Sequence, residues 1–166
     1  MRVCKVTKRF SIDYAHRLMH HNGKCRNLHG HTGIVEVSVI GEVDPRTGMV
    51  VDFSMLKDVC EIVHNNLDHS TILNEQDTTF VDLFVQRGIF RYVILSEEPT
   101  AENIAYFIKN KLEKHWAHLR VLEIEAAEED GEIGEDELDK MKGDSKNNLK
   151  FVVRFYETPD NFVETA

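Results

Sequence analysis

A short segment of the chain places a thiol close to two imidazoles. Cys25 is followed after three residues by His29-Gly30-His31. If this segment is extended, both histidine side chains point to the same face, because side chains alternate along a strand with a period of two. His16 follows an alternating stretch that predicts a preceding strand, and a hairpin would bring it beside the other two. Three histidines would hold a zinc ion and leave its fourth position open, as in catalytic zinc sites.

Two other interpretations of this segment stay open. Cys25 could be a fourth ligand, which would give a closed structural zinc site, or the histidines could be unrelated polar residues that bind no metal. The interval between Cys25 and His29 is wider than that of a C-x-x-C knuckle, and a domain of this size does not need zinc to fold. The residues therefore favour the open site.

An adjacent acid and imidazole, Asp68-His69, lie where a predicted helix ends. The carboxylate could orient and charge the imidazole, which could then activate a thiol such as Cys25 or move a proton near neutral pH. Asp68 could instead accept hydrogen bonds from loop amides and have no chemical role. Both interpretations fit the dipeptide alone.

A second acid, Glu157, ends the last predicted strand. Acids at strand ends are usually exposed and have no particular partner. A carboxylate can also accept two parallel hydrogen bonds from neighbouring N–H groups, such as those on the edge of a pterin or a guanine. Glu157 is therefore a candidate for binding such a ring.

The charge of the chain is unevenly distributed. The net charge is −9, and residues 128–139 contain eight acids and no base. Residues 16–31 contain Arg17, Lys24, Arg26 and five histidines, with no acid. The overall charge argues against a nucleic acid partner, whereas the basic segment favours an anionic small molecule.

The remaining composition indicates a cytoplasmic protein. No apolar run approaches the ~20 residues that span a membrane, and the N-terminus lacks the apolar core of a signal peptide. The three cysteines are too few and too widely spaced for a disulfide framework, and Cys4 and Cys60 fall in apolar patterns typical of a core.

The apolar periodicity predicts an α+β domain over residues 1–166. Strands are expected at 2–14, 33–41, 119–124 and 149–156, and helices after Asp52 and after Thr100. Residues 70–99 are less clearly patterned, with a short helical pattern at 79–86 and a β-rich run at 89–95. The order ββααββ predicts a four-stranded antiparallel sheet with two helices on one face. The acidic tract, at about 125–148, is expected to be a solvated loop inserted between the last two strands.

Six short motifs occur in one order along the chain. They are Ala15-His16-Arg17, Cys25 with His29-Gly30-His31, residues 41–53 (GEVDPRTGMVVDF), Leu67-Asp68-His69, Pro99-Thr100-x-Glu102-Asn103, and Tyr156-Glu157-Thr158. In these motifs the chain resembles the 6-pyruvoyl-tetrahydropterin synthase and 6-carboxytetrahydropterin synthase family. The resemblance implies a tunnelling fold, in which three subunits form a barrel and two trimers stack into a homohexamer.

The resemblance also implies roles for individual residues. A zinc ion would be held by His16, His29 and His31, with Cys25 as the catalytic thiol and Asp68 with His69 as its partners. Glu157 would anchor the pterin. Thr100 is expected to help bind the substrate, and Arg17, Lys24 and Arg26 are expected to meet its triphosphate.

The expected reaction is a zinc-dependent lyase reaction on 7,8-dihydroneopterin triphosphate. Members of the carboxy type resemble this chain in the three-residue interval between Cys25 and His29, which favours 6-carboxy-5,6,7,8-tetrahydropterin, a precursor of queuosine-type deazapurines, as the product. The alternative product is 6-pyruvoyl-tetrahydropterin. A non-catalytic module that binds a pterin or purine is the alternative of another class, although such a module would not need the thiol.

Overall fold

Two long strands form the centre of the sheet. The computed structural model of the protein describes residues 2–130, 134–143 and 149–166. Strand β1 (Val3–His16) pairs antiparallel with β2 (His29–Glu42) along its whole length. Their register ends with His16 directly opposite His29. The β-branched residues of both segments favour this extended structure.

Four shorter strands extend the sheet on both sides. They are β3 (Ser70–Asn74), β4 (Tyr92–Leu95), β5 (Lys150–Thr158) and β6 (Asn161–Glu164). The order across the sheet is β4-β3-β1-β2-β5-β6. The pairs β1–β3 and β3–β4 are parallel and the others are antiparallel.

Four helices accompany the sheet. They are α1 (Phe53–Leu67), α2 (Thr78–Gln86), α3 (Ala101–Asp130) and α4 (Glu135–Gly143). Asp52 caps α1, since its carboxylate accepts the Ser54 N–H at 2.7 Å. Thr100 precedes α3, and its hydroxyl accepts the Asn103 N–H at 3.4 Å. None of the helices in the described part of the chain is long and apolar enough to cross a membrane.

The core lies between one face of the sheet and helices α1 and α3. The sheet contributes alternate residues of its central strands, and the helices contribute apolar stripes spaced three or four residues apart. Its buried members include Ile12, Val35, Val37, Val39, Leu56, Val59, Val63, Leu67, Ile104, Ile108, Leu112, Val153 and Phe155. Gly33 makes room within it, because a Cβ there would lie 3.1 Å from the rings of both Tyr14 and Phe155. Because buried residues alternate along β1, its last residue, His16, also lies on the buried face.

The structure confirms the α+β class and the two helices predicted after Asp52 and Thr100. The helical pattern at 79–86 is α2, and the β-rich run contains β4. The predicted sheet of four antiparallel strands is wrong in size and in direction: it lacks β3, β4 and β6, and the pairs β1–β3 and β3–β4 are parallel. The sequence pattern does not identify β3 and β6 as strands. Both are short, at five and four residues, and such runs carry too few residues for a clear period.

The prediction of a strand at 119–124 is wrong, because these residues belong to α3. No Gly or Pro interrupts residues 101–130, so the helix continues through their β-branched side chains. Arg120 is 4% exposed on this helix. It contacts Glu123 and donates to the Met141 carbonyl of α4 at 3.3 Å, which joins the two helices.

The expected acidic loop is also helical where the structure describes it. Residues 125–130 continue α3 and residues 135–143 form α4. Glu and Ala are good helix formers, and their propensity outweighs the like-charge repulsion on which the loop prediction rested. Residues 131–133 and 144–148 of the tract lie outside the described residues.

Two leucines of α3 test where this long helix contributes to the core. Leu112 is fully buried, whereas Leu122 is 45% exposed. We expect Leu112→Ala to lower the free energy of unfolding by about 2–5 kcal/mol, because it leaves a cavity in the core. Leu122→Ala should change it by less than about 1 kcal/mol. Urea unfolding monitored by circular dichroism measures both, and equal losses would contradict the position of α3 on the sheet.

Candidate metal centre and active-site cavity

Three histidines meet where β1 ends and β2 begins. The register places His16 opposite His29 and Tyr14 opposite His31. Residues directly opposite each other on paired strands share a face, so all three histidines project from the core face. One ring nitrogen of each lies within 4.8 Å of the others. The structure therefore brings together the three residues that the sequence proposes as metal ligands.

Backbone carbonyls orient two of these rings. His16 donates from Nδ1 to the Pro99 carbonyl at 2.7 Å, and His29 donates from Nδ1 to the Asn27 carbonyl at 2.8 Å. A carbonyl can only accept, so in the neutral ring Nδ1 carries the proton and Nε2 keeps its lone pair. Burial lowers the pKa of His16, which favours that neutral form. Such hydrogen bonds are typical of histidines that bind metals.

The remaining ring nitrogens fit a cation. His16 Nε2 and His31 Nε2 are buried, and neither has a hydrogen-bond partner among the residues that the structure describes. Leaving buried polar atoms unpaired costs free energy. A divalent ion such as zinc would satisfy both lone pairs together with that of His29, because neutral imidazoles are ordinary zinc ligands.

Glu157 lies beside this group at the end of β5. Its Oε1 is 3.5 Å from His16 Nε2 and 3.9 Å from His31 Nε2. Burial, followed by the Glu157 carboxylate, raises the pKa of the Tyr14 hydroxyl far above its ordinary value. Tyr14 is thus held in its neutral form, and Glu157 supplies the negative charge on this side of the histidines.

A cavity of about 410 Å³ opens next to Glu157. Cys25 lines it from a single 3-10 turn, Lys24–Arg26, in the segment between β1 and β2. The polar side chains around the cavity belong to His21, Cys25, Thr100, Glu102, Glu157 and Asn161. The structure therefore brings Cys25, Thr100 and Glu157 together, as the sequence predicts.

Three further polar residues of this cavity, His21, Glu102 and Asn161, were not proposed from the sequence. Glu102 belongs to the Pro99–Asn103 motif, and that motif was the signal that could have identified it. His21 carries no comparable signal beyond its place in the basic segment. Its Nδ1 accepts the Gly23 N–H at 2.8 Å, and a Cβ on Gly23 would lie 2.9 Å from the His21 ring. Because Gly23 has no side chain, the His21 ring can pack against the backbone there.

His69 lies at a different cavity, of about 470 Å³, whose lining also includes Asp13 and His31, and Asp68 is its hydrogen-bond partner. Asp68 Oδ2 accepts from His69 Nδ1 at 2.8 Å, and Asp68 Oδ1 accepts the Asp13 N–H at 2.8 Å. These donors lower the pKa of Asp68, that of Asp13 most strongly. Within one chain the structure does not bring this pair into the cavity of Cys25.

The backbone of His69 is left-handed, with φ of 56°. A non-glycine residue rarely adopts this conformation, which costs about 1–2 kcal/mol. Two contacts hold it here. The His69 N–H donates to the Asp13 carbonyl at 2.6 Å, and the Arg91 guanidinium donates to the Asp68 carbonyl.

The three basic residues proposed for triphosphate binding have different surroundings. Arg17 pairs with the buried carboxylate of Asp77 at 2.9 Å, and its guanidinium lies 4.6 Å from the centre of the Phe80 ring. It does not line the cavity of Cys25, so this geometry does not fit a substrate contact by Arg17. Lys24 and Arg26 are exposed on either side of Cys25.

Known proteins resemble this chain over most of its length. A model of the family described as 6-pyruvoyl tetrahydropterin synthase matches residues 5–139. The 6-carboxy-5,6,7,8-tetrahydropterin synthase of Rickettsia bellii is 37% identical over 109 residues, which cover 65% of this chain and 79% of that protein. The protein of the same name from Haemophilus influenzae is 37% identical over 127 residues, covering 72% of this chain and 89% of that one.

Solved structures show the same fold. The 6-pyruvoyl tetrahydropterin synthase of Caenorhabditis elegans superposes with a TM-score of 0.62 at 24% identity, covering 99% of this chain and 96% of that one. An uncharacterized protein from Wolinella succinogenes gives a TM-score of 0.69 at 21% identity, covering 99% and 98%. The chain therefore has the tunnelling fold.

Metal content tests the role of the three histidines. We expect one zinc ion per chain, and we expect His29→Ala to lose most of it, because two imidazoles remain where an open tetrahedral site needs three protein ligands. Cys25→Ala should keep its zinc, and His64→Ala is the control for removing a histidine from another part of the chain. Elemental analysis of the purified variants measures this. Unchanged zinc in His29→Ala would contradict the assignment, and loss of zinc in Cys25→Ala would favour the closed structural site.

Proposed function

Because the chain belongs to the 6-pyruvoyl tetrahydropterin synthase family, we propose that it is a zinc-dependent lyase acting on 7,8-dihydroneopterin triphosphate. Its product would be 6-carboxy-5,6,7,8-tetrahydropterin, the compound named in relatives that are more than one third identical to it. One observation carries the proposal: a cavity lined by a thiol and two carboxylates adjoins, through Glu157, a cluster of three imidazoles. A binding module would not require the thiol.

The histidines supply the metal site in this proposal. His16, His29 and His31 would hold the zinc, and a bound zinc ion would act as a Lewis acid toward oxygen atoms of the substrate side chain. The ligands are neutral, so they leave the charge of the ion undiminished. The carbonyls of Pro99 and Asn27 keep two of the rings in the required tautomer.

The carboxylates of the cavity would bind the pterin ring. The edge of a pterin carries adjacent N–H groups, and a carboxylate can accept two of them in parallel. Glu157 is the proposed anchor, and Glu102 faces the same cavity. Thr100 would add a hydroxyl that can donate or accept. The exposed side chains of Lys24 and Arg26 are the basic groups left to meet the triphosphate.

Cys25 would move the proton on the side-chain carbon. It is half-buried and lines the same cavity as Glu157, whose carboxylate lies 3.5 Å from His16 Nε2. As a thiolate it could accept a proton from carbon, and as a thiol it could return one. Asp68 and His69 would assist, because the carboxylate orients the imidazole through a 2.8 Å hydrogen bond.

We assign the Asp68–His69 pair to the site of a neighbouring subunit. In a single chain His69 and Cys25 line separate cavities, so in this proposal a second copy brings its own Asp68–His69 pair to the thiol. A homohexamer formed from two trimers would provide such neighbours.

Product analysis tests the proposed reaction. With 7,8-dihydroneopterin triphosphate and zinc-loaded protein, we expect 6-carboxy-5,6,7,8-tetrahydropterin and an equal amount of acetaldehyde. Mass spectrometry identifies the pterin, and an enzymatic assay quantifies the acetaldehyde. Formation of 6-pyruvoyl-tetrahydropterin without acetaldehyde would show the alternative product. Binding of the pterin without turnover would support a non-catalytic module.

Mixing two inactive variants tests the shared site. Cys25→Ala and His69→Ala should each lose most activity, since each lacks one proton-transfer group. If the thiol and the imidazole come from different subunits, oligomers reassembled from an equal mixture should regain about one quarter of the parental activity, because random assembly pairs the two intact residues at that frequency. Turnover after co-refolding measures this. No recovery in mixed oligomers of normal size would mean that one chain supplies both groups.

A further inference from the structure

The thiol is carried by a loop that folds back on itself. Residues 17–28 connect β1 to β2. Within this loop the Leu18 N–H donates to the Cys25 carbonyl at 2.9 Å, and the His21 N–H donates to the Leu18 carbonyl at 3.0 Å. The position of Cys25 therefore depends on where the backbone at Leu18 and Met19 is held.

Glu98 holds that backbone. Its Oε2 accepts the Met19 N–H at 3.0 Å. Its own main chain is fixed at the start of α3, because the Glu98 carbonyl accepts from the Thr100 N–H at 2.7 Å and from Asn103 Nδ2 at 2.8 Å. The side chain is 20% exposed. Two hydrogen bonds in series, from the Met19 amide to the Glu98 carboxylate and from the Leu18 amide to the Cys25 carbonyl, thus connect the start of α3 to the residue that carries the thiol.

The next residue fixes a proposed metal ligand. The Pro99 carbonyl accepts from His16 Nδ1 at 2.7 Å. Glu98 and Pro99 are adjacent and share a peptide bond, so their separation cannot vary. The same short segment therefore sets both the orientation of a zinc-binding imidazole and the position of the loop that carries Cys25.

The second oxygen of Glu98 is not required by the fold. Oε1 is buried without a hydrogen-bond partner in the described part of the chain, and His20 Nε2 lies 3.7 Å away. Burying a carboxylate with one oxygen unpaired is unfavourable, and a single neutral acceptor would be enough to hold the Met19 amide. The stronger hydrogen bond that a charged acceptor makes to an amide would restrain the loop more firmly.

We propose that Glu98 is a positioning residue, which holds the Cys25 thiol at a fixed place relative to the three histidines by restraining the loop at Met19. This inference rests on the proposed function only for its effect on turnover. The restraint of the thiol is a property of the chain itself and can be measured without the substrate.

The reactivity of Cys25 and the kinetics of turnover test the proposal. In Glu98→Ala we expect alkylation of Cys25 by iodoacetamide to be several-fold faster than in the parent, because the loop is released. We expect kcat to fall about 10- to 100-fold with KM changed less than about threefold, since a displacement of the order of 1 Å misaligns the reacting groups. Peptide mapping by mass spectrometry separates Cys25 from Cys4 and Cys60.

Two matched variants are compared with Glu98→Ala. Glu98→Gln should lie between Glu98→Ala and the parent in alkylation rate and kcat, because the amide oxygen can still accept the Met19 N–H but makes a weaker hydrogen bond than the carboxylate. Glu97→Ala, at the adjacent exposed residue, should behave as the parent. Zinc content and thermal unfolding should stay close to parental values in all three, because the contact between Pro99 and His16 uses the main chain.

Several results would overturn the inference. Unchanged alkylation of Cys25 in folded Glu98→Ala would show that the carboxylate does not restrain the thiol, whether or not the protein has synthase activity. Equal losses of zinc and of thermal stability in Glu98→Ala and Glu98→Gln would show a merely structural role. If Glu98→Ala does not fold, Glu98→Asp decides, because its carboxylate is one methylene short of Met19 and should give the same faster alkylation. Faster alkylation in a protein without turnover would support the restraint and contradict only the proposed reaction.

Discussion

The pairing of β1 with β2 determines which side chains can meet at the end of the sheet. The register puts His16 opposite His29 and leaves His31 on the same face, two residues along. A slip of one residue would turn every second side chain to the other face. It would move the histidines apart and would also expose Ile12 and Val35, which are completely buried. The packing of the core and the geometry of the candidate metal centre are therefore fixed by the same ladder of hydrogen bonds.

The end of this ladder is an unusual place for polar groups, since it continues the apolar face of the sheet. His16 is fully buried there, and its pKa is lowered by that burial. A buried imidazole is tolerated when each nitrogen has a partner. Pro99 supplies one partner for His16, and the second nitrogen faces the other two histidines. The proposed metal ion would give that nitrogen its partner and would satisfy His29 and His31 at the same point.

Much of the site could be predicted from the sequence, because local patterns carry it. The H-x-H spacing of His29 and His31 on a strand already implies a shared face, and Asp68-His69 are covalent neighbours. Long helices such as α1 could be predicted from apolar periodicity and a capping Asp52. Contacts that depend on the tertiary fold could not. Arg17 looks like a basic surface residue, and only the packing of α2 against the end of β1 shows that it pairs with Asp77. The way α4 is joined to α3 likewise involves a contact between Arg120 and Met141, 21 residues apart.

The left-handed backbone of His69 has a consequence for how this protein balances stability against activity. Glycine adopts that conformation at no steric cost, and asparagine at little. An imidazole at this position therefore makes the native state less stable than the same fold could be. The hydrogen bonds that the His69 N–H donates to the Asp13 carbonyl and that Arg91 donates to the Asp68 carbonyl offset the strain rather than remove it. Glycine would relieve the strain but would lose the hydrogen bond to Asp68, so if His69 assists the thiol as proposed, the strained backbone is a cost in stability that keeps its ring in one orientation.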